Sequence, residues 1–133
     1  FSWSGSLLVD VWTDGFGALN QHLFKVSSVI YKKWFILYWT KYHLQEFQRI
    51  AKSKATTMGH IQRKHLSEAK VLVPPENLMT KINSLFDSLL ERQINARLES
   101  KYLLQLRNTI LPKLISGEIR IPDAEKILEE SGI

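Results

Sequence analysis

The 133 residues contain no cysteine, which excludes a disulfide framework and a thiolate zinc site and leaves the composition of a reduced, intracellular protein. Long apolar runs are missing as well. The longest, Trp34 to Trp39, has six residues, where a membrane span needs roughly 20, and no charged-then-apolar signal peptide opens the chain. Neither membrane attachment nor export is expected, and the expected location is the cytoplasm. The length excludes a large multidomain enzyme. Because Phe1 opens directly into a strand-like stretch, the residues read as a C-terminal fragment of a longer protein.

The motifs of the common catalytic sites are absent too. His22, His43, His60 and His65 are scattered, without the i, i+4 pair and intervening Glu of a metalloprotease. There is no glycine-rich phosphate loop of P-loop or dinucleotide spacing and no Gly-x-Ser-x-Gly turn. Val73-Pro74-Pro75-Glu76 lacks the Asn or Asp and the terminal aromatic of an amino-methyltransferase loop. Pro122-Asp123-Ala124-Glu125-Lys126 has nuclease-like residue types, but crowded onto one helical turn they cannot converge on a metal as carboxylates from separate strands do. Acids behind a proline in a first turn instead suit the helix dipole. No catalytic residue, metal site or cofactor is assigned.

Glycine and proline are sparse, and the gaps between them mark the helices. Tyr31 to about Ala51 has neither, and Leu37, Thr40, Leu44, Phe47 and Ala51 fall at helical spacing, predicting a helix of about five turns. Its first half, Lys33 to Trp39, is apolar nearly all round and is expected to be buried against strands. Those strands are read at Ser6–Trp12, at Leu23–Val26 beyond the turn residues Thr13–Gly17, and at Ala69–Val73 before Pro74-Pro75. A short helix is expected within Ile61–Leu66. From Glu76 to Leu111 neither Gly nor Pro occurs, which predicts a 36-residue helix, about 54 Å long. Pro112 is expected to break it, Gly117 to cap the continuation, and Pro122–Ile133 to form a terminal helix. The expected fold class is α+β: a partial α/β head over 1–75, one long coiled-coil-forming helix over 76–116, and a tail over 117–133.

The long helix has a heptad-like pattern. Ile82, Leu89, Ala96, Leu103 and Ile110 form one row and Leu78, Leu85, Arg92, Glu99 and Leu106 the other, with eight of the ten positions apolar. The one other sizeable helix is committed to the head, so the seam is expected to pair with another chain or with residues outside this sequence. A homodimer through Leu78, Ile82, Leu85, Leu89, Ala96, Leu103, Leu106 and Ile110 follows.

Charge is the remaining signal. Residues 41–70 hold seven cations against two carboxylates, which accounts for the whole net charge of +5. Such a concentration fits a phosphate backbone and equally a solvated helix face with a solvated loop. Within it, Lys52 to Lys64 (KSKATTMGHIQRK) mixes cations, hydroxyls, an amide and a glycine. That donor set holds phosphates and reads base edges, although a basic loop without a ligand has the same composition.

Taken in order, Leu19–Val26 (LNQHLFKV), the aromatic helix, Ala55–Ile61 (ATTMGHI), Val71–Pro75 (VLVPP), the long helix and Leu111–Ile119 (LPKLISGEI) resemble the C-terminal part of the DNA-specificity subunit of Type I restriction-modification systems. The resemblance spans essentially the whole chain and implies a target recognition domain followed by a spacer helix. It further implies a non-catalytic subunit that binds double-stranded DNA, carries methyltransferase (modification) subunits, and meets the restriction subunit through the complex. A further β-rich segment upstream of Phe1 belongs to the family pattern and is absent here. By this resemblance Lys54, Thr56, Thr57, His60, Gln62 and Arg63 face DNA, as do Asn20, Gln21 and His22, for which polar satisfaction of a turn is the alternative. For Met58 and Gly59 the alternative is turn geometry. The rival function is a coiled-coil scaffold or protein-binding module without DNA binding.

Overall fold

The computed structural model describes residues 1–53 and 59–132. Among them the architecture is all-helical: α1 is Lys33–Ser53, α2 Arg63–Glu68, α3 Glu76–Ser116 and α4 Ile121–Glu130. The α+β expectation is therefore corrected. Ser6–Trp12, Leu23–Val26 and Ala69–Val73 are not strands, and β-pairing is confined to two isolated antiparallel bridges, Ser2–Leu23 and Ser4–His60. The alternation that suggested a strand is nonetheless real. Leu7 and Val9 are buried while Leu8, Asp10 and Trp12 are exposed, so one side of the segment packs inward. What the segment lacks is a ladder, because a strand needs a partner along its length as well as a half-buried face. Leu7 sits at φ 44°, a left-handed conformation that interrupts extended backbone. The Asp10 carboxylate takes the Val11 N–H at 2.9 Å, competing locally for a ladder donor.

The described residues form two compact units, Phe1–Ile94 and Asn95–Ile133, the division falling within α3. In the first unit two apolar clusters lie along α1. Trp34, Phe35 and Leu37 pack with Val9 and with Leu90 of α3, joined by Met79, Ile82, Phe86 and Ile94. The Trp34 ring stacks on Phe86 with centroids 4.7 Å apart, and its indole N–H donates to Asn83 Oδ1 at 2.9 Å. The expectation that the aromatic half of α1 packs on strands is thus corrected: it packs on the first half of α3 and on the Val9 segment. The helix spacing 79, 82, 86, 90, 94 puts those α3 residues on one face. The second cluster gathers Leu7, Phe47, Ala51 and Ile61, with Phe1 and Trp3 against it. His43, stacked on Trp39 at 6.0 Å, hydrogen-bonds the Lys70 carbonyl through Nε2 at 2.9 Å and ties the Ala69–Val73 stretch to α1.

In the second unit Ile110 of α3 and Ala124 of α4 are buried. Pro112 does not end the long helix, which runs through it to Ser116. The missing proline N–H leaves the Asn108 carbonyl without its helical donor, and both residues are exposed, so water can serve that carbonyl. Gly117, at φ 75°, closes the helix, its N–H donating to the Leu114 carbonyl at 3.2 Å while Ile119 N–H reaches that of Lys113. At the start of α4 the Asp123 carboxylate accepts the Arg120 N–H at 3.2 Å, the charge placement favoured at a helix N-terminus.

Candidate nucleic-acid interface

The site assembles around Trp3. Three backbone segments meet at it: Phe1–Gly5 lies between residues 22–24 on one side and 59–61 on the other. Trp3 N–H donates to the His22 carbonyl at 3.2 Å, Ile61 N–H to the Trp3 carbonyl at 3.1 Å, and Gly5 N–H to the Gly59 carbonyl at 3.0 Å. Residues 20–22 and 60–63, 38 or more positions apart in the chain, are thereby brought to one surface. The Trp3 ring lies 5.8 Å from that of His22, 5.9 Å from Phe24 in a stacked arrangement, and 6.1 Å from His60, edge-on. The Arg63 guanidinium carbon stands 5.9 Å from the Phe24 centroid, within cation–π range.

The polar groups on this surface are partly organised. Asn20 Oδ1 accepts the His22 N–H at 2.8 Å, a local turn of the kind Asn favours. Trp3 Nε1 donates to the Gln21 carbonyl at 3.1 Å. His22 meets Ser4 Oγ through Nδ1 at 3.0 Å and the Gln21 amide through Nε2 at 3.3 Å. Asn20 therefore has a turn-forming role as well as an exposed position. Gln62 caps α2: its N–H donates to Nδ1 of the buried His65 at 3.0 Å. Gln62, Arg63 and His60 are exposed. Lys54, Thr56, Thr57 and Met58 lie outside the described residues.

Gly59 has a specific reason to be glycine. A Cβ there would come within 2.6 Å of the Ala51 carbonyl oxygen and 2.9 Å of its carbon, so the segment leading to His60 can lie against the last turns of α1 only without a side chain. Close approach, rather than a turn conformation, is what the position demands. One buried cluster holds Ala51 in α1 and Ile61, both of the basic segment 41–70. Within it Arg49 is taken up by Glu46 through two hydrogen bonds of 2.6 and 2.8 Å. That bonding holds the Glu46 carboxyl below the usual carboxylate range and raises Arg49. Lys52, Arg63 and Lys64 are exposed, and no carboxylate among the described residues pairs with them.

The seam residues of α3 separate. Ile82 is half-buried against the first cluster, Ile110 is buried and Leu106 half-buried. Leu78, Leu85, Leu89, Ala96 and Leu103 are exposed, as are Arg92 and Glu99. Sequence reasoning missed Trp3 and Phe24, the aromatic centre of the site. The available signal was aromatics interleaved with His22 and His60, but nothing local shows that residues 3, 24 and 60 meet. Among the described residues no group of His, Asp and Glu is placed to hold a metal, and no helix is long and apolar enough to cross a membrane.

The chain is 28% identical over 109 residues, 81% of its length, to the Type I restriction enzyme MjaIX specificity subunit of Methanocaldococcus jannaschii. The match covers 25% of that protein, so the chain spans about a quarter of the relative it matches. No protein-family profile matches, and no solved structure matches. The similarity bears out the resemblance drawn from the residues: the chain is a partial homologue of a Type I restriction specificity subunit.

Proposed function

We propose that the chain reads double-stranded DNA through the Trp3-centred surface and, through α3, takes part in assembling a Type I restriction-modification complex. The observation that carries the DNA reading is the convergence of Asn20–His22 with His60–Arg63 beside a segment holding the chain's cationic excess. In this reading Lys52 and Lys64, together with Lys54, meet phosphates. Gln21, His22, His60, Gln62 and Arg63 approach base edges, and Thr56 and Thr57 fix register. The chain does no chemistry of its own; it directs methyltransferase and restriction subunits in the cytoplasm to a site. Residues 1–75 serve as the reading head, 76–116 as the spacer and 117–133 as a tail.

The exposed row Leu78, Leu85, Leu89, Ala96 and Leu103 supports the second half of the proposal. Pairing with a second copy is favoured by Arg92 and Glu99, which lie about symmetrically either side of Asn95 and Ala96 on the helix. In an antiparallel two-fold pair each Arg92 approaches the partner helix's Glu99, setting register more than stability.

The experiment is equilibrium binding of a randomised duplex pool to the chain, alone and together with a methyltransferase subunit, at rising salt. Retained duplexes with affinity falling steeply as salt rises support the proposal. No retention in either form at low salt overturns it and favours a helical scaffold that binds protein.

A further inference from the structure

We infer that Arg63 is a guanine reader and that Phe24 is the residue that positions it, an inference that rests on the DNA-reading proposal and names the base it selects. The sequence offers Arg63 as one cation among seven in its segment. The structure distinguishes it from the others, because its guanidinium lies over the Phe24 ring at 5.9 Å. Phe24 is itself stacked on Trp3, with ring planes 22° apart. Backbone hydrogen bonds fix the platform: Phe24 N–H donates to the Phe1 carbonyl at 2.7 Å, and Trp3 N–H to that of His22.

A guanidinium within cation–π range of an aromatic face is restricted in position while its N–H groups stay available. No carboxylate among the described residues occupies that edge, and Arg63 is exposed. The ligand that matches this planar fork is one with two adjacent acceptors in a common plane. In the major groove guanine alone presents such a pair, O6 and N7; adenine and cytosine place an amino donor there, and thymine offers a single acceptor beside its methyl group. A phosphate also accepts from a fork, but Lys52 and Lys64, exposed in the same segment, are point charges that serve phosphates without needing an oriented plane.

The test uses the full chain and duplexes recovered from a randomised pool. Base preference is compared for the native protein, Arg63→Ala, Arg63→Lys, Phe24→Leu and Phe24→Tyr, with thermal unfolding measured on each. The expected result is that Arg63→Ala abolishes preference for guanine at one base pair, a loss of about 5- to 150-fold on duplexes carrying it and little on those without. Arg63→Lys should restore overall affinity better than the preference. Phe24→Leu should weaken the preference at that same pair while Phe24→Tyr, which keeps the ring, retains it. Replacing that guanine with 7-deazaguanine should cost native protein affinity and cost Arg63→Ala nothing further. A uniform loss across all duplexes, with the salt slope reduced by about 1, would make Arg63 a phosphate contact and overturn the inference while leaving DNA binding intact. Failure of the native chain to retain any duplex would instead remove the DNA-reading proposal itself.

Discussion

Leu90 and Leu89 are neighbours on α3 with opposite surroundings, and truncating each reports which face of the helix is core. Leu90 is 2% exposed and closed in by Val9, Trp34, Phe35 and Leu37. Leu90→Ala removes three carbons, worth about 2.4 kcal/mol at about 0.8 kcal/mol per buried methylene. The cavity left among rigid aromatic rings adds about 1–2 kcal/mol, because Trp34 is held by its stack on Phe86 and cannot relax freely. The total is about 3–4 kcal/mol, a large part of the stability of a domain this size. Leu89 is 46% exposed, so Leu89→Ala forfeits roughly half the transfer contribution and leaves no closed cavity, costing about 1 kcal/mol. Urea unfolding at several protein concentrations separates the two. Leu90→Ala should lower the midpoint equally at every concentration. Leu89→Ala should lower it most at high concentration if, as proposed, the exposed row pairs with a second copy. Equal costs for the two variants, or a larger one for Leu89, would refute the assignment of the 79, 82, 86, 90, 94 face to α1.

Gly59→Ala should destabilise by about 1–3 kcal/mol, since its Cβ would overlap backbone atoms of Ala51 that belong to a helix and cannot swing aside; thermal unfolding checks this, and an unchanged midpoint would mean the segment sits farther from α1. Arg92→Glu should weaken self-association in sedimentation, and Arg92→Glu combined with Glu99→Arg should restore it; a double variant no better than the single one contradicts the antiparallel register. Glu46 should titrate below the ordinary carboxylate range because Arg49 hydrogen-bonds its ionised form. Its folded value being depressed, any stabilisation is present above the unfolded value and lost as pH falls through the folded one. NMR titration with and without Arg49→Met would show the shift disappearing.

The helices were readable because the interruptions that delimit them are local. Two Gly- and Pro-free stretches became α1 and α3, and Gly117 marked the end of the latter. Of three features that escaped, two depend on distant partners and one on local solvent exposure. Leu7 and Val9 alternate as a strand does, yet the ladder they need is not formed among the described residues. Phe86 and Leu90 lie off the two heptad rows, and only the aromatic half of α1, distant in the chain, makes their face of α3 a core face. Pro112 reads as a helix stop by its chemistry, but an exposed carbonyl four residues earlier makes the interruption tolerable. As for the site, His60, Gln62 and Arg63 could be named from composition and resemblance. That they share a surface with His22 is set by backbone hydrogen bonds through Trp3, between segments that no spacing rule connects.

If the surface joining residues 20–22 to 60–63 binds duplex DNA, as proposed, its binding must depend on salt. Affinity for duplexes recovered from a randomised pool is measured from low to physiological salt for the native chain and for a variant with Lys52, Arg63 and Lys64 all changed to Ala. The expectation is a linear fall of log affinity with log salt for the native protein, with a slope shallower by about 2 in the variant as counterion release is lost at the phosphate contacts of Lys52 and Lys64. Native and variant curves that coincide, or a native chain that retains no duplex at the lowest salt, would contradict it.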